Sequence, residues 1–313
     1  MYYIDSNSTD PFFNIAMEEY LIKQKTEEFI YSYINQPSVF VGKHQNAYAE
    51  VNMRFLMGLK IPVIRRISGG GTVYHDKGNL NFGIIKDNDA NQKVDFAKQS
   101  EPIIAFLKTL GLNAIMGDKN ELRIEGAKIS GTAEHIYKNR MLHHGTLLFN
   151  SNIAILEKAL ISSRENYTDK SIPSNKTNVI SISELLDDSM TMDEFKLKYK
   201  QYVIDYYNAT AYKLSEDDVF AIEQLALEKY STWEWNYGYS PNYILEKVVE
   251  TILGDRKIKL EVEKGIIVSV KCENDIQLGN DLCDYFKGKQ HRFDLFYSTI
   301  WDENLLSIYY QLF

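Results

Sequence analysis

Arg65-Arg66-Ile67-Ser68-Gly69-Gly70-Gly71-Thr72-Val73-Tyr74-His75-Asp76-Lys77-Gly78-Asn79-Leu80-Asn81-Phe82 is the stretch around which the chain is organised. Three consecutive glycines strip the backbone of side chains where it leaves the apolar run Ile61 to Ile64, and two arginines stand just before them. Glycine is favoured where main chain bends through positive φ or comes within contact distance of a ligand. Successive N–H groups in such a bend form an anion-binding concavity. The pattern is neither a Walker loop, Gly-x-x-x-x-Gly-Lys-Ser/Thr, nor the Gly-x-Gly-x-x-Gly that opens a dinucleotide-binding helix. Thr72, Val73 and Tyr74, three poor helix formers, follow the glycines and predict a strand. Taken alone, a triple glycine is equally a tight turn between strands.

A length of 313 residues fits one large domain or two unequal ones, with ample chain for a core. Hydrophobic content of 44% and charged content of 25% are ordinary for a soluble globular protein. The formal charge of −8 disfavours a nucleic-acid binder working through a basic surface, so no nucleic-acid partner is expected. No apolar run approaches the roughly 20 residues of a membrane span, and the N-terminal residues lack the character of a signal peptide. No membrane partner and a cytoplasmic location are therefore expected. Only Cys272 and Cys283 occur, which argues against a disulfide scaffold or a cysteine-rich zinc site.

The remaining chain reads as mixed α/β. Asp10-Pro11 before Phe12, Phe13, Ile15, Ala16, Tyr20 and Leu21 predicts a capped helix with an apolar stripe. Asn14 and Glu18-Glu19 could touch a ligand, but a solvated helix face is the preferred reading. Strands are predicted over 29–34, 38–41 and 79–86, a short helix over 52–59 and an amphipathic helix over 95–110 ended by Gly111. Leu122/Ile124 and Ala127/Ile129 around Gly126 predict a hairpin, in which Lys128 faces opposite Ile129. His143 and His144, adjacent on a strand, point to opposite faces and make a poor metal pair. Residues 162–179 form a long polar loop carrying Arg164, Lys170 and Lys176, and loops of that length are usually functional or disordered. Helices follow over 193–206 and 216–229, then strands 257–262 and 265–272, a helix 280–286 and a terminal helix 295–312. The expected architecture is α/β (α+β, mixed sheet), with a large domain over 1–245 and a small α+β appendage over 250–313.

The eighteen residues quoted first resemble the signature of the lipoate-protein ligase A family, distant relatives of the biotin-protein ligases. The resemblance continues through Glu125-Gly126-Ala127-Lys128-Ile129-Ser130-Gly131, His143-His144-Gly145-Thr146-Leu147 and Ser231-Thr232-Trp233-Glu234-Trp235-Asn236-Tyr237-Gly238. It implies a biotin/lipoate ligase-like catalytic domain followed by an accessory domain. The implied reaction is ATP-dependent activation of lipoate as lipoyl-AMP, then transfer to a lysine of carrier proteins. Those carriers would be the lipoyl domains of 2-oxoacid dehydrogenase E2 subunits and the glycine cleavage H protein.

By the same resemblance Arg65, Ser68, Gly69, Gly70, His75, Lys128 and Gly131 bind lipoate. Arg66, Gly71, Thr72, Val73, Tyr74 and Lys128 bind ATP and the adenylate, and Lys128 is catalytic. Asn120-Glu121 resembles the family's Asn-Asp pair beside magnesium, with glutamate in place of aspartate. His44 and Asn46 are implied contacts, with a surface loop as the competing reading, and 162–179 is similar to the loop that folds over the adenylate. ATP and magnesium are the implied cofactors. Related octanoyltransferases carry the acyl group on a cysteine, and this chain has none in its first 271 residues, which favours ATP. A transferase using a preformed acyl donor, a biotin ligase and a non-enzymatic lipoate-binding module are the alternatives.

Overall fold

The computed structural model describes residues 1–88, 95–160, 163–175, 177–187, 189–273, 275–293 and 303–313. The chain forms two compact units that interleave in sequence. The first is Met1–Lys43, Pro62–Glu157 and Asn175–Ser231; the second is His44–Ile61, Lys158–Ser174 and Thr232–Phe313.

An eight-stranded sheet runs through the first unit in the order Thr210–Ala211, Tyr2–Asp5, Phe29–Ile34, Asn79–Asp87, Arg140–Leu148, Ala127–Tyr137, Glu121–Ile124, Ile115–Met116. Tyr2–Asp5 pairs in parallel with both neighbours, and the other pairings are antiparallel. Strand alternation divides its residues between two unlike faces. Leu80, Phe82, Ile84 and Leu147 join Ile103 and Phe106 of the helix Phe96–Thr109 and Phe195, Tyr199 and Val203 of the helix Met192–Tyr207 in one apolar cluster. Gly145 sits opposite Phe82 because a Cβ there would lie 2.8 Å from that ring.

The other face is polar, and the helix Pro11–Gln24 covers it. Asp10 caps that helix by accepting from the Phe12 amide at 2.9 Å, as its sequence predicts. The expected solvated face is overturned: Asn14, Glu18 and Glu19 are all buried. Asn14 donates to Ser8 O and Asn35 Oδ1 and accepts from Ser6 Oγ, while Tyr33 Oη donates to Glu18 Oε1 at 2.8 Å. The helix itself forms as its apolar stripe and cap predict, but the surface its polar residues meet is itself polar and supplies partners.

Most predicted elements recur within a residue or two. The hairpin turns through Glu125 (φ 50°) and Gly126 (φ 82°), the left-handed pair that a two-residue connection requires. The second unit holds an antiparallel sheet in the order Tyr167–Asp169, Tyr243–Thr251, Gly254–Glu263, Ile266–Cys272, with the helix Ile276–Phe286 burying Leu282 and Phe286. The strand Tyr243–Thr251 falls where the composition after Pro241 turns strand-like, although the sequence places its first defined strand only at 257–262. Its partner Tyr167–Asp169 comes from the stretch read as an open loop, which also contains a turn at Arg164–Asn166. Ser162, Lys176 and residues 295–302 of the predicted terminal helix lie outside the described residues; the described part of that helix is Glu303–Gln311. Among the described residues, no helix is long and apolar enough to cross a membrane.

Gly83 lies beneath the buried ring of Tyr31, 2.0 Å from where a Cβ would stand. Gly83→Ala should therefore destabilise the protein by about 1–3 kcal/mol through overpacking. A denaturation midpoint lowered at unchanged m-value is the expected result, and an unshifted midpoint would show that Tyr31 yields freely.

Candidate functional site

A three-stranded sheet presents the glycine loop. Ser38–Val41 pairs in parallel with Val63–Arg65 and antiparallel with Val73–His75, so residues 66–72 cross from one outer strand to the other. Arg66 fixes that crossing from inside. Its Nη2 donates to Gly69 O at 2.6 Å and Gly71 O at 2.7 Å, its Nη1 to Phe40 O at 3.1 Å and its Nε to Ser68 Oγ at 3.1 Å. A trans peptide points its N–H opposite to its C=O. Carbonyls 69 and 71 turned towards the guanidinium therefore turn the N–H groups of Gly70 and Thr72 away from it. Gly69, Gly70 and Gly71 are exposed, and Gly70 adopts φ 90° with no room for a Cβ beside Arg66 Nη2. The loop is thus a pre-shaped backbone surface.

The arginines hold the loop through main-chain carbonyls. Arg65 is fully buried and donates to Gly42 O at 2.9 Å and Lys43 O at 3.1 Å. Burial lowers the pKa of Arg66 to about 10, with Glu18 opposing the shift, so it stays charged at neutral pH.

The second motif converges on the same place. A Cβ at Gly131 would lie 3.3 Å from Lys128 Nζ and 3.9 Å from Val73 Cγ1, which places the ammonium over Gly131 beside the first residue of the glycine-loop strand. Ile129 enters the apolar cluster on the other face, as alternation predicts. Backbone bonds from Lys128 N to Asn178 O and from Ile180 N to Lys128 O tie this strand to the end of the polar segment. Burial is the largest cause lowering the Lys128 pKa; Arg66 and Arg123 lower it further and Glu121 opposes them. Positive charge from two guanidinium groups and partial burial together favour a negatively charged neighbour at this ammonium.

Behind the loop runs a polar chain that sequence reasoning left as structural alternatives. Ser68 Oγ lies 2.6 Å from His144 Nε2, and His144 Nδ1 lies 2.6 Å from Glu18 Oε2. In the neutral ring, Nδ1 facing a carboxylate carries the proton, so Nε2 accepts from Ser68. His143 points to the opposite face and meets Glu134 at 2.9 Å, so the two histidines do part company. His75 is buried, stacks on Phe40 and bonds Asn35 through Nδ1. Glu18 and His144 could have been found by asking why a helix would place two acids opposite tyrosine-rich strands.

Other expected contacts fall elsewhere. Asn46 caps the short helix Ala47–Glu50 and donates to Asp169 Oδ2 within the second unit, while His44 is exposed. Glu121 is not placed as an open magnesium ligand: Arg123 Nε donates to its Oε1 at 2.8 Å and the Lys119 amide to its Oε2 at 2.9 Å. Asn120 has φ 61° and its carbonyl accepts from Thr132 Oγ1. Among the described residues no cluster of three or more His, Cys, Asp or Glu side chains forms a metal site. The pair does not fit a resident magnesium as it stands.

A protein-family model, the lipoyl protein ligase A/B catalytic domain, matches residues 10–204. The chain is 41% identical over 282 residues to lipoate-protein ligase 1 of Staphylococcus aureus, covering 90% of this chain and 86% of that protein. Its fold is that of a solved lipoate-protein ligase A bound with ATP (24% identity, TM-score 0.64, 76% of this chain, 98% of that one). It is also that of a bi-partite lipoate protein ligase from Thermoplasma acidophilum, studied with its E2 lipoyl domain (23% identity, TM-score 0.63, 76% and 96%). A glycine loop held by a buried arginine and faced by a half-buried lysine is thus found in a ligase of the biotin/lipoate ligase-like fold. The chain belongs to the lipoate-protein ligase family of enzymes.

Burial, with Arg66 and His144 adding to it, pushes His75 down to about 3. Its ring should remain neutral and its NMR shifts constant between pH 8 and 5. An unfolded histidine titrates near 6.5, so this group destabilises the native state increasingly as pH falls from about 6.5 towards 3. A His75 titration with a midpoint above 6 would refute the buried, neutral assignment.

Proposed function

We propose that the chain activates lipoate with ATP and transfers it, in the cytoplasm, to a lysine on lipoyl carrier domains such as those of E2 subunits and the glycine cleavage H protein. The observation that carries this reading is the placement of Lys128 Nζ over Gly131 and beside Val73, where the two motifs meet. A carboxylate is a poor acyl donor because it is anionic and lacks a good leaving group. Its oxygen attacks the α-phosphorus of ATP, pyrophosphate leaves, and the resulting mixed anhydride is then attacked by the carrier's lysine amine. The amide forms as AMP departs.

The residues divide this work. The outward N–H groups of the loop over Gly69 to Tyr74 receive the acyl group and the adenylate, and Ser68, held between Arg66 and His144, fixes the entrance to the loop. Arg65 and Arg66 supply positive potential from behind the backbone. Lys128 offsets the repulsion between carboxylate and α-phosphate in the first step and polarises the acyl carbonyl in the second. Magnesium, when present, would neutralise phosphate charge through phosphate oxygens and water. The motif-bearing part of 1–245 supports catalysis, and 250–313 is assigned an accessory role in adenylation or carrier orientation.

Lys128→Ala should slow both lipoate-dependent pyrophosphate release and transfer from supplied lipoyl-AMP by about 100- to 1,000-fold. Lys128→Arg should not fully restore either rate, because guanidinium is planar and larger than ammonium. Near-wild-type rates for folded Lys128→Ala in both assays would refute the role.

A protein in which Cys272→Ser and Cys283→Ser are combined should keep its ligation rate, since the acyl donor is an adenylate. Loss of activity together with loss of a lipoyl-cysteine detected by mass spectrometry would instead establish a thioester relay.

A further inference from the structure

Around the helix Pro11–Gln24 and the end of the strand Ala127–Tyr137 lies a group of cations for which the chemistry above has no use. Lys43 is held at the loop entrance, its amide donating to Ser68 O at 2.8 Å. Glu19, buried on the helix Pro11–Gln24, is shared by Lys23 and Lys229, each 2.6 Å away, and accepts from Tyr230 Oη. Lys23 Nζ also stands 5.4 Å from the centre of the Tyr137 ring, and the exposed Lys138 places its Nζ 5.3 Å from the same ring. His135, on the same strand face as Tyr137, is pushed down to about 4 by burial first and then by Lys43, Lys23 and His144, with Glu19 opposing. Lys229 is likewise lowered by burial, Lys23 and Lys43 against the pull of Glu19. Two lysines share one buried carboxylate, and with Lys138 on the same tyrosine ring as Lys23 and Lys43 acting on the same histidine they make a local positive field in a protein whose formal charge is −8.

Distance separates the end of this rim at His135, Tyr137 and Lys138 from the small-molecule chemistry, while Lys43 marks its near end. His135 follows Gly131 by four residues on one strand, or about 13 Å at roughly 3.3 Å per residue. A carboxylate or α-phosphate held at Lys128 does not reach it. A protein does: an interface of about 800 Å² per partner has a radius of roughly 16 Å. The rim therefore lies within one macromolecular footprint of the reacting centre. Its composition suits carboxylate side chains, which lysines attract from a distance and hold without strict geometry.

We propose that Lys23, Lys43, Lys138 and Lys229 form a docking rim for the protein that accepts the acyl group, engaging acidic side chains displayed beside its acceptor lysine. This assignment rests on the ligase reading and adds the class of surface that the carrier must present. It also separates two functions in space: Lys128 serves both half-reactions, whereas the rim serves only the second.

The test uses the full chain with Lys23→Gln and Lys138→Gln, singly and combined, and an apo lipoyl domain in acidic and amide-substituted forms. The lipoate-dependent exchange of pyrophosphate into ATP should stay within about twofold of wild type, because adenylation does not involve the rim. The KM for the acidic carrier should rise about tenfold at unchanged kcat, and its salt dependence should flatten. Wild-type enzyme with the amide-substituted carrier should show the same rise, and combining both changes should add little. An unchanged carrier KM would overturn the proposal, as would loss of pyrophosphate exchange in the variants, which would make the rim a small-anion site. Absence of exchange in the wild-type protein would overturn the ligase reading itself.

Discussion

The burial of one guanidinium group underlies the site. Removing a charge from water costs several kcal/mol unless hydrogen bonds replace the lost hydration. Arg66 recovers that cost by gathering Phe40 O, Ser68 Oγ, Gly69 O and Gly71 O around its plane. The same bonds that make the charge tolerable decide which way the loop's peptide groups face. Glycine is needed at Gly70, where a Cβ would stand 2.9 Å from Arg66 Nη2 and φ is positive. Arginine behind and glycine in front are therefore one device, and neither has meaning without the other.

The eight-stranded sheet makes the device possible by having unlike faces. Phe82, Phe106, Phe195 and Tyr199 fill one side with apolar contact, and that side supplies the hydrophobic stabilisation. The other side, freed from that task, holds Tyr33, Glu18, His144 and Ser68 in a connected polar chain ending on Arg66. Buried polar groups are affordable only when each finds a partner, and a chain of partners fixes every member's orientation at once.

Much of this was legible before any coordinates. Asp10-Pro11, the hairpin at Glu125-Gly126 and the strand after the glycines follow from local backbone chemistry, and local rules suffice for them. The functional motifs were legible because their residue types are unusual in combination. Three things were not. The roles of Arg65 and Arg66 depend on where carbonyls from residues 40 to 43 arrive, which no local pattern encodes. The burial of Glu18 and Glu19 depends on a polar sheet face assembled from distant strands. The strand Tyr167–Asp169 exists because Tyr243–Thr251 pairs with it across 76 residues of register, a tertiary decision. Sequence alternation in Tyr243–Thr251 is too mixed with charge to announce it.

The electrostatics around Lys128 bear on the role proposed for it. Burial and then Arg66 and Arg123 disfavour the charge on Lys128, and Glu121 opposes them. Glu121 is itself committed to Arg123 and to the Lys119 amide, so its relief of Lys128 is partial. The folded protein thus carries unfavourable charge that an anionic ligand can discharge. Under the proposed reading, the paired negative charges of a carboxylate and a phosphate relieve that repulsion when they arrive, and little reorganisation is left for the moment of reaction.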